Sequence, residues 1–166
     1  MIKKIIIVLI YFSINFSQNA QKLILKSEIQ EYLFSTQRIL HDFIKLENEV
    51  FNQKGNSRTS KSLDSTVKML LKNKNDFHRL KNTKYNKKEK KLIAQIDNYT
   101  MKLKKAITHL KLISIKKNGS TSQLLFEQSD DKEKLIKLKK SFENEGQRLN
   151  ALLNEFILTN IPAMTH

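Results

Sequence analysis

Helical proteins that bind iron or manganese supply Glu-x-x-His pairs from facing helices, and this chain carries histidines at 41, 78, 109 and 166. The residues three places before the internal ones are Arg38, Asn75 and Ala106, so no such pair exists. His41 and His78 have Asp42 and Asp76 beside them, and antiparallel pairing of their segments would set them at similar height, yet neither segment repeats a ligand one turn on. Nucleophilic chemistry has as little to work with. There is no Cys and no Gly-x-Ser-x-Gly turn, and the three glycines stand alone, which leaves no loop to cradle a phosphate. Glu145 is the one acid written into an apolar stripe, where a buried carboxylate could serve as a proton donor. With Gly146 or Leu149 taking the stripe instead, Glu145 leans to solvent. The sequence therefore leads us to expect a protein that is not an enzyme, with no catalytic residue, metal or cofactor.

Lysine carries the chemistry that remains. Basic residues number 31 against 16 acidic, a formal charge of +15. Residues 22–53 net −1, residues 54–118 net +15, and residues 119–166 net −1. The densest run is Lys81, Lys84, Lys87, Lys88, Lys90 and Lys91. Six ammonium groups around one turn attract polyanions by focusing their field and releasing counterions. Nucleic acid suits the run poorly: only Tyr85 interleaves it, and Arg contributes 4 of the 31 cations. Lipid head groups, lipopolysaccharide, an acidic glycan or an acidic protein face are the expected partners. The competing account is a solvated hairpin that aids solubility, and the Lys, Ile and Asn excess also fits an AT-rich genome.

The elements that must position these lysines are helical. From Lys22 to Gln53 the apolar seam is Leu25, Ile29, Tyr32, Thr36, Ile39, Phe43, Leu46 and Val50, spaced 4, 3, 4, 3, 4, 3, 4. Leu33, Leu40, Ile44 and Phe51 widen it into the face of a bundle helix. Lys54-Gly55-Asn56-Ser57 ends this segment, and 55–62 reads as a loop. A shorter helix over Lys61 to Lys81 holds Leu63, Val67, Leu70 and Phe77, with Lys74 interrupting. Continuing its stripe lands on Lys81, Lys84, Lys88 and Lys91, so the apolar face vanishes and a turn over 82–86 is expected.

The third helix opens on Asn86 and Glu89 as a capping box. Its seam is Leu92, Ile96, Tyr99, Leu103, Ala106, Leu110 and Ile113, and Asn118-Gly119 closes it. Met101, Leu112 and Ile115 fall opposite that seam. Together with the isolated triplet Leu124-Leu125-Phe126 they point to a more fully covered third helix or to a protein partner, including a second copy of this chain. Asp130 and Glu133 would cap the fourth helix, whose stripe is Leu135, Leu138, Phe142, Leu149, Leu152 and Phe156, and Pro162 ends it. The expected fold is all-α, an antiparallel up-down bundle of about four long helices over residues 21–166.

Before that domain stand Lys3 and Lys4, an apolar run from Ile5 to Ile14, and polar residues up to Ala20. Ten residues are about half a membrane span. They match a cleavable secretory signal peptide over residues 1–20, cut after Ala20 or Ser17, although Gln18 is larger than the small residue usually found before such a cut. A retained anchor or a buried strand are the competing readings. No Cys follows to carry a lipid. Periplasmic or secreted location follows as the expectation, and the sequons at Asn98 and Asn118 then read as chance matches. Over 22–160 the pattern loosely resembles the helical periplasmic modules of bacterial sensors and envelope assemblies, a resemblance of periodicity without a family motif. The expected role is a binding protein with a basic hairpin over residues 61–117, or alternatively a structural or adaptor subunit of an envelope assembly. N-terminal sequencing of the protein from its native cell should find a chain starting within residues 18 to 21, released by osmotic shock without detergent. Met1 on envelope-bound protein would contradict the reading.

Overall fold

The computed structural model describes residues 20–52, 57–78, 85–119 and 130–158, and all of these except Tyr85 and Asn86 are helical. Four helices follow one another: α1 (Ala20–Asn52), α2 (Ser57–His78), α3 (Lys87–Gly119) and α4 (Asp130–Leu158). Side-chain pairs fix their directions. Tyr32 bonds Thr100 and Lys117 bonds the Val50 carbonyl, so α1 and α3 run parallel with an offset of 68 to 67 residues. Asn73 meets Thr36 and Thr59 meets Glu49, so α2 runs back along α1. Gln95 meets Glu145 while Lys88 meets Glu155, so α4 runs back along α3. The result is the expected all-α up-down bundle, with α3 packed against both α2 and α4.

Every seam residue expected on the first and third helices is buried. That outcome follows from spacing: a 4, 3 alternation keeps apolar residues on one side of a helix for its whole length. α3 also buries Ile93, Thr100, Ile107 and Ser114 beside its seam, which makes it the most enclosed of the four helices. Phe142 of α4 wedges between α1 and α3, its ring edge-on to Phe43 at 6.2 Å and to Tyr99 at 6.3 Å. The same layer holds hydroxyls. Tyr32 and Thr100 bond each other, Thr100 also bonds the Ile96 carbonyl, and Asn73 donates to Thr36 at 3.5 Å. Burial pushes the Tyr32 phenol up to about 12, so it stays a neutral member of this cluster.

Four expectations need correction. α2 begins at Ser57, not Lys61, and its seam is Thr59, Leu63, Thr66 and Leu70. Hydropathy hides this because two of the four are threonines: Thr59 reaches Glu49, and Thr66 bonds back to the Ser62 carbonyl at 2.9 Å. Val67 lies half-buried beside the seam. On α4 the seam passes through Gly146 and Leu149, as expected, and then through Leu153 in place of the expected Leu152, which is half-buried. Glu145 turns inward and not to solvent. Its carboxylate accepts from Gln95 at 2.8 Å and from Arg148 at 3.0 Å. Glu133, expected to cap α4, pairs with Lys137 one turn along. Segment 1–19, Lys54-Gly55-Asn56, the turn at 82–84, the Leu124-Leu125-Phe126 triplet and Pro162 lie outside the described residues.

Leu103 is fully enclosed while Leu112, nine residues on along the same helix, is 49% exposed. Leu103→Ala should cost about 2–5 kcal/mol of unfolding free energy, whereas Leu112→Ala should change it by less than about 0.5 kcal/mol. Equal effects in chemical denaturation would show that the seam is not the core.

Candidate functional site: the lysine-rich end of the bundle

Parallel α1 and α3 place their first turns side by side, and the last turns of α4 reach the same end. There α3 starts with a complete capping box. The Asn86 N–H donates to Glu89 Oε2 and the Glu89 N–H donates to Asn86 Oδ1, both at 2.9 Å. Tyr85 packs half-buried against the core just before the cap. The cap fixes the rotation of the first turn, with Glu89 buried and Lys87, Lys88, Lys90 and Lys91 exposed around it. Lys88 pairs with Glu155 at 3.0 Å between exposed side chains, a contact worth little. Lys87, Lys90 and Lys91 have no acidic partner among the described residues. Lys81 and Lys84, the other members of the sequence cluster, lie outside the described residues.

These lysines stand at the positive end of the α3 dipole, where cations are disfavoured. Stability of the helix therefore does not explain them.

Toward the opposite end three lysines of α3 are engaged by the fold. Lys117 donates to the Val50 carbonyl at 2.7 Å, closing the end of α1, and lies over the Phe51 ring at 5.6 Å. Lys116 bonds the Asp131 carboxylate, and that hydrogen bond holds Asp131 below the usual carboxylate range. Lys111 reaches Asp64 at 2.6 Å. Between α1 and α4, Lys139 occupies a position in register with the apolar seam and lies 2.8 Å from both oxygens of Glu47, with side-chain exposures of only 26% and 16%. Sequence reading missed this pair, because a lysine in register with an apolar stripe reads as an interruption until the fold brings Glu47 against it.

The histidines are equally instructive. The α1–α2 register sets His41 opposite Lys68, about ten residues or 15 Å from the level of His78, so the two are not at similar height. His41 is 82% exposed. His109 is buried, and its Nε2 lies 2.9 Å from the Asp131 carbonyl. A carbonyl only accepts, so Nε2 carries the hydrogen and His109 tethers the start of α4. Among the described residues no three acidic or imidazole groups converge. A groove of about 530 Å³ does open between α1 and α2, where Ser62, Ser65 and Thr66 are small. Asp42 and Glu49 line it together with Lys45 and Arg58, so it selects neither charge.

No protein-family model, curated protein or solved structure matches the chain. Among the described residues no helix is long and apolar enough to cross a membrane.

The Asp131 contacts give a pH dependence with a definite sign. Because the folded carboxyl titrates below its ordinary value of 3.8, its contribution is complete above that value and is lost as pH falls through the lower folded one. Asp131→Asn should lower the melting temperature at pH 7, and the gap from the parent should shrink as pH drops below 3.8. A gap that persists unchanged at the acid end would mean the ion pair contributes nothing.

Proposed function

We propose that the chain is an exported, non-enzymatic helical bundle that binds an anionic partner at the cell envelope through the lysine-rich end of α3. The observation that carries this is local density: Lys87, Lys90 and Lys91 are exposed within five residues at one helix start with no acidic partner among the described residues, whereas Lys111, Lys116, Lys117 and Lys139 are engaged by the fold and the other exposed lysines are dispersed along the helices. Codon bias accounts for many lysines. It does not account for setting three of the exposed ones within one turn, against a helix dipole. Lys81 and Lys84 extend the same run in sequence. Lipid head groups, lipopolysaccharide and acidic glycans are the anionic surfaces such an address offers.

A second reading, an adaptor subunit in a larger assembly, is favoured by one specific feature. Met101, Leu112 and Ile115 on the outward side of α3 are 37%, 49% and 48% exposed, a spread of apolar surface that a protein partner would cover.

Retention on heparin separates the two. The triple replacement of Lys87, Lys90 and Lys91 by Glu should abolish retention at moderate salt, and the melting temperature should hold or rise, since acids suit a helix start. The same charge change at Lys132, Lys134 and Lys140, exposed on α4, should leave most of the retention. Equal loss from both sets would reduce the effect to net charge, and no loss from either would favour the adaptor.

A further inference from the structure

Resting on the anionic-partner reading, we propose that the partner is an anionic lipid bilayer and that the bundle meets it end-on, helices upright, with the start of α3 against the head groups. Two placements converge on this. The offset between α1 and α3 sets Ala20 level with Lys87 and Lys88, so α1 begins in the plane of the exposed lysines, directly after residues 1–19 in sequence. That chain contains the apolar run Ile5 to Ile14. Whether it is in transit through a membrane or held there, the end of the bundle next to it is the one a bilayer surface meets first. The lysines at that end complement the negative surface potential of anionic lipids, each contributing on the order of 1 kcal/mol near the surface. A soluble glycan would gain nothing from this coincidence of apolar leader and cations.

The side of the bundle offers a poorer fit. Along α3 the outward residues pass from Lys91 through Asn98, Met101, Lys105 and Thr108 to Leu112, a mixed line with neither a continuous apolar strip nor a continuous basic one. Upright, Leu112 and Ile115 stand roughly 40 Å from the head groups at 1.5 Å per residue, free for a different contact.

The chain has no Cys, so single cysteines report position without background. In the full chain, Asn154→Cys marks the lysine end, Thr108→Cys the side and Asn52→Cys the far end, all at exposed positions. Each is labelled with an environment-sensitive fluorophore and mixed with phosphatidylglycerol-containing or pure phosphatidylcholine vesicles. Neutral vesicles measure what residues 1–19 contribute alone. The expected result is a response at 154 on anionic vesicles, silence at 108 and 52, and binding weakened roughly a hundredfold by Glu at 87, 90 and 91. A response at 108 as strong as at 154 would overturn the end-on geometry. Equal binding to both vesicle types, with heparin retention intact, would overturn the lipid assignment and leave the anionic reading standing. Loss of heparin retention as well as lipid selectivity would remove both.

Discussion

The apolar seam of α3 is the constraint from which the rest follows. Seven residues from Leu92 to Ile113, each at most 4% exposed, hold this helix between α2 and α4 and against α1. Once they point inward, the ten lysines of α3 have only the remaining faces to occupy. The pattern of charge on the outside is therefore set by the packing inside. Rotating α3 by one residue would bury lysines and expose leucines together, a loss of several buried side chains at about 1.5–3 kcal/mol each, so the register has no near competitor.

Within that frame, charge is used in two ways. Where helices converge, lysines complete the fold: Lys117 closes α1, Lys116 holds Asp131, and Lys139 with Glu47 bridges α1 to α4 beside the Phe43 and Phe142 rings. The last of these is partly buried, so removing one partner would strand the other's charge in a poorly hydrated seam. At the start of α3 the cap turns Glu89 inward and three lysines have no acidic partner among the described residues. Local stability gains nothing there, and such a conflict between helix electrostatics and sequence is expected where a function is served.

Period-based reading recovered α1 and α3 residue by residue because their seams are built from large apolar side chains in unbroken alternation. The Asn86–Glu89 cap was legible for a similar reason: it is a local motif whose two hydrogen bonds need only four residues. What escaped was encoded non-locally. Thr59 and Thr66 are seam residues only because Glu49 and the Ser62 carbonyl satisfy their hydroxyls. His109 looks like any other histidine until the fold brings Asp131, 22 residues away, against it. For the site, sequence located the lysine cluster, while the contrast between unpaired and consumed lysines required the fold.

The central claim is that the charges left unanswered at the start of α3 are the ones that meet the partner. Hydrogen exchange of the full chain, with and without a heparin fragment at low salt, tests it most directly. The account predicts added protection in the first turns of α3 and α1 and none around Lys111 to Lys117, where the cations are already engaged. Protection concentrated at the Lys116 end, or spread evenly over α4, would contradict it.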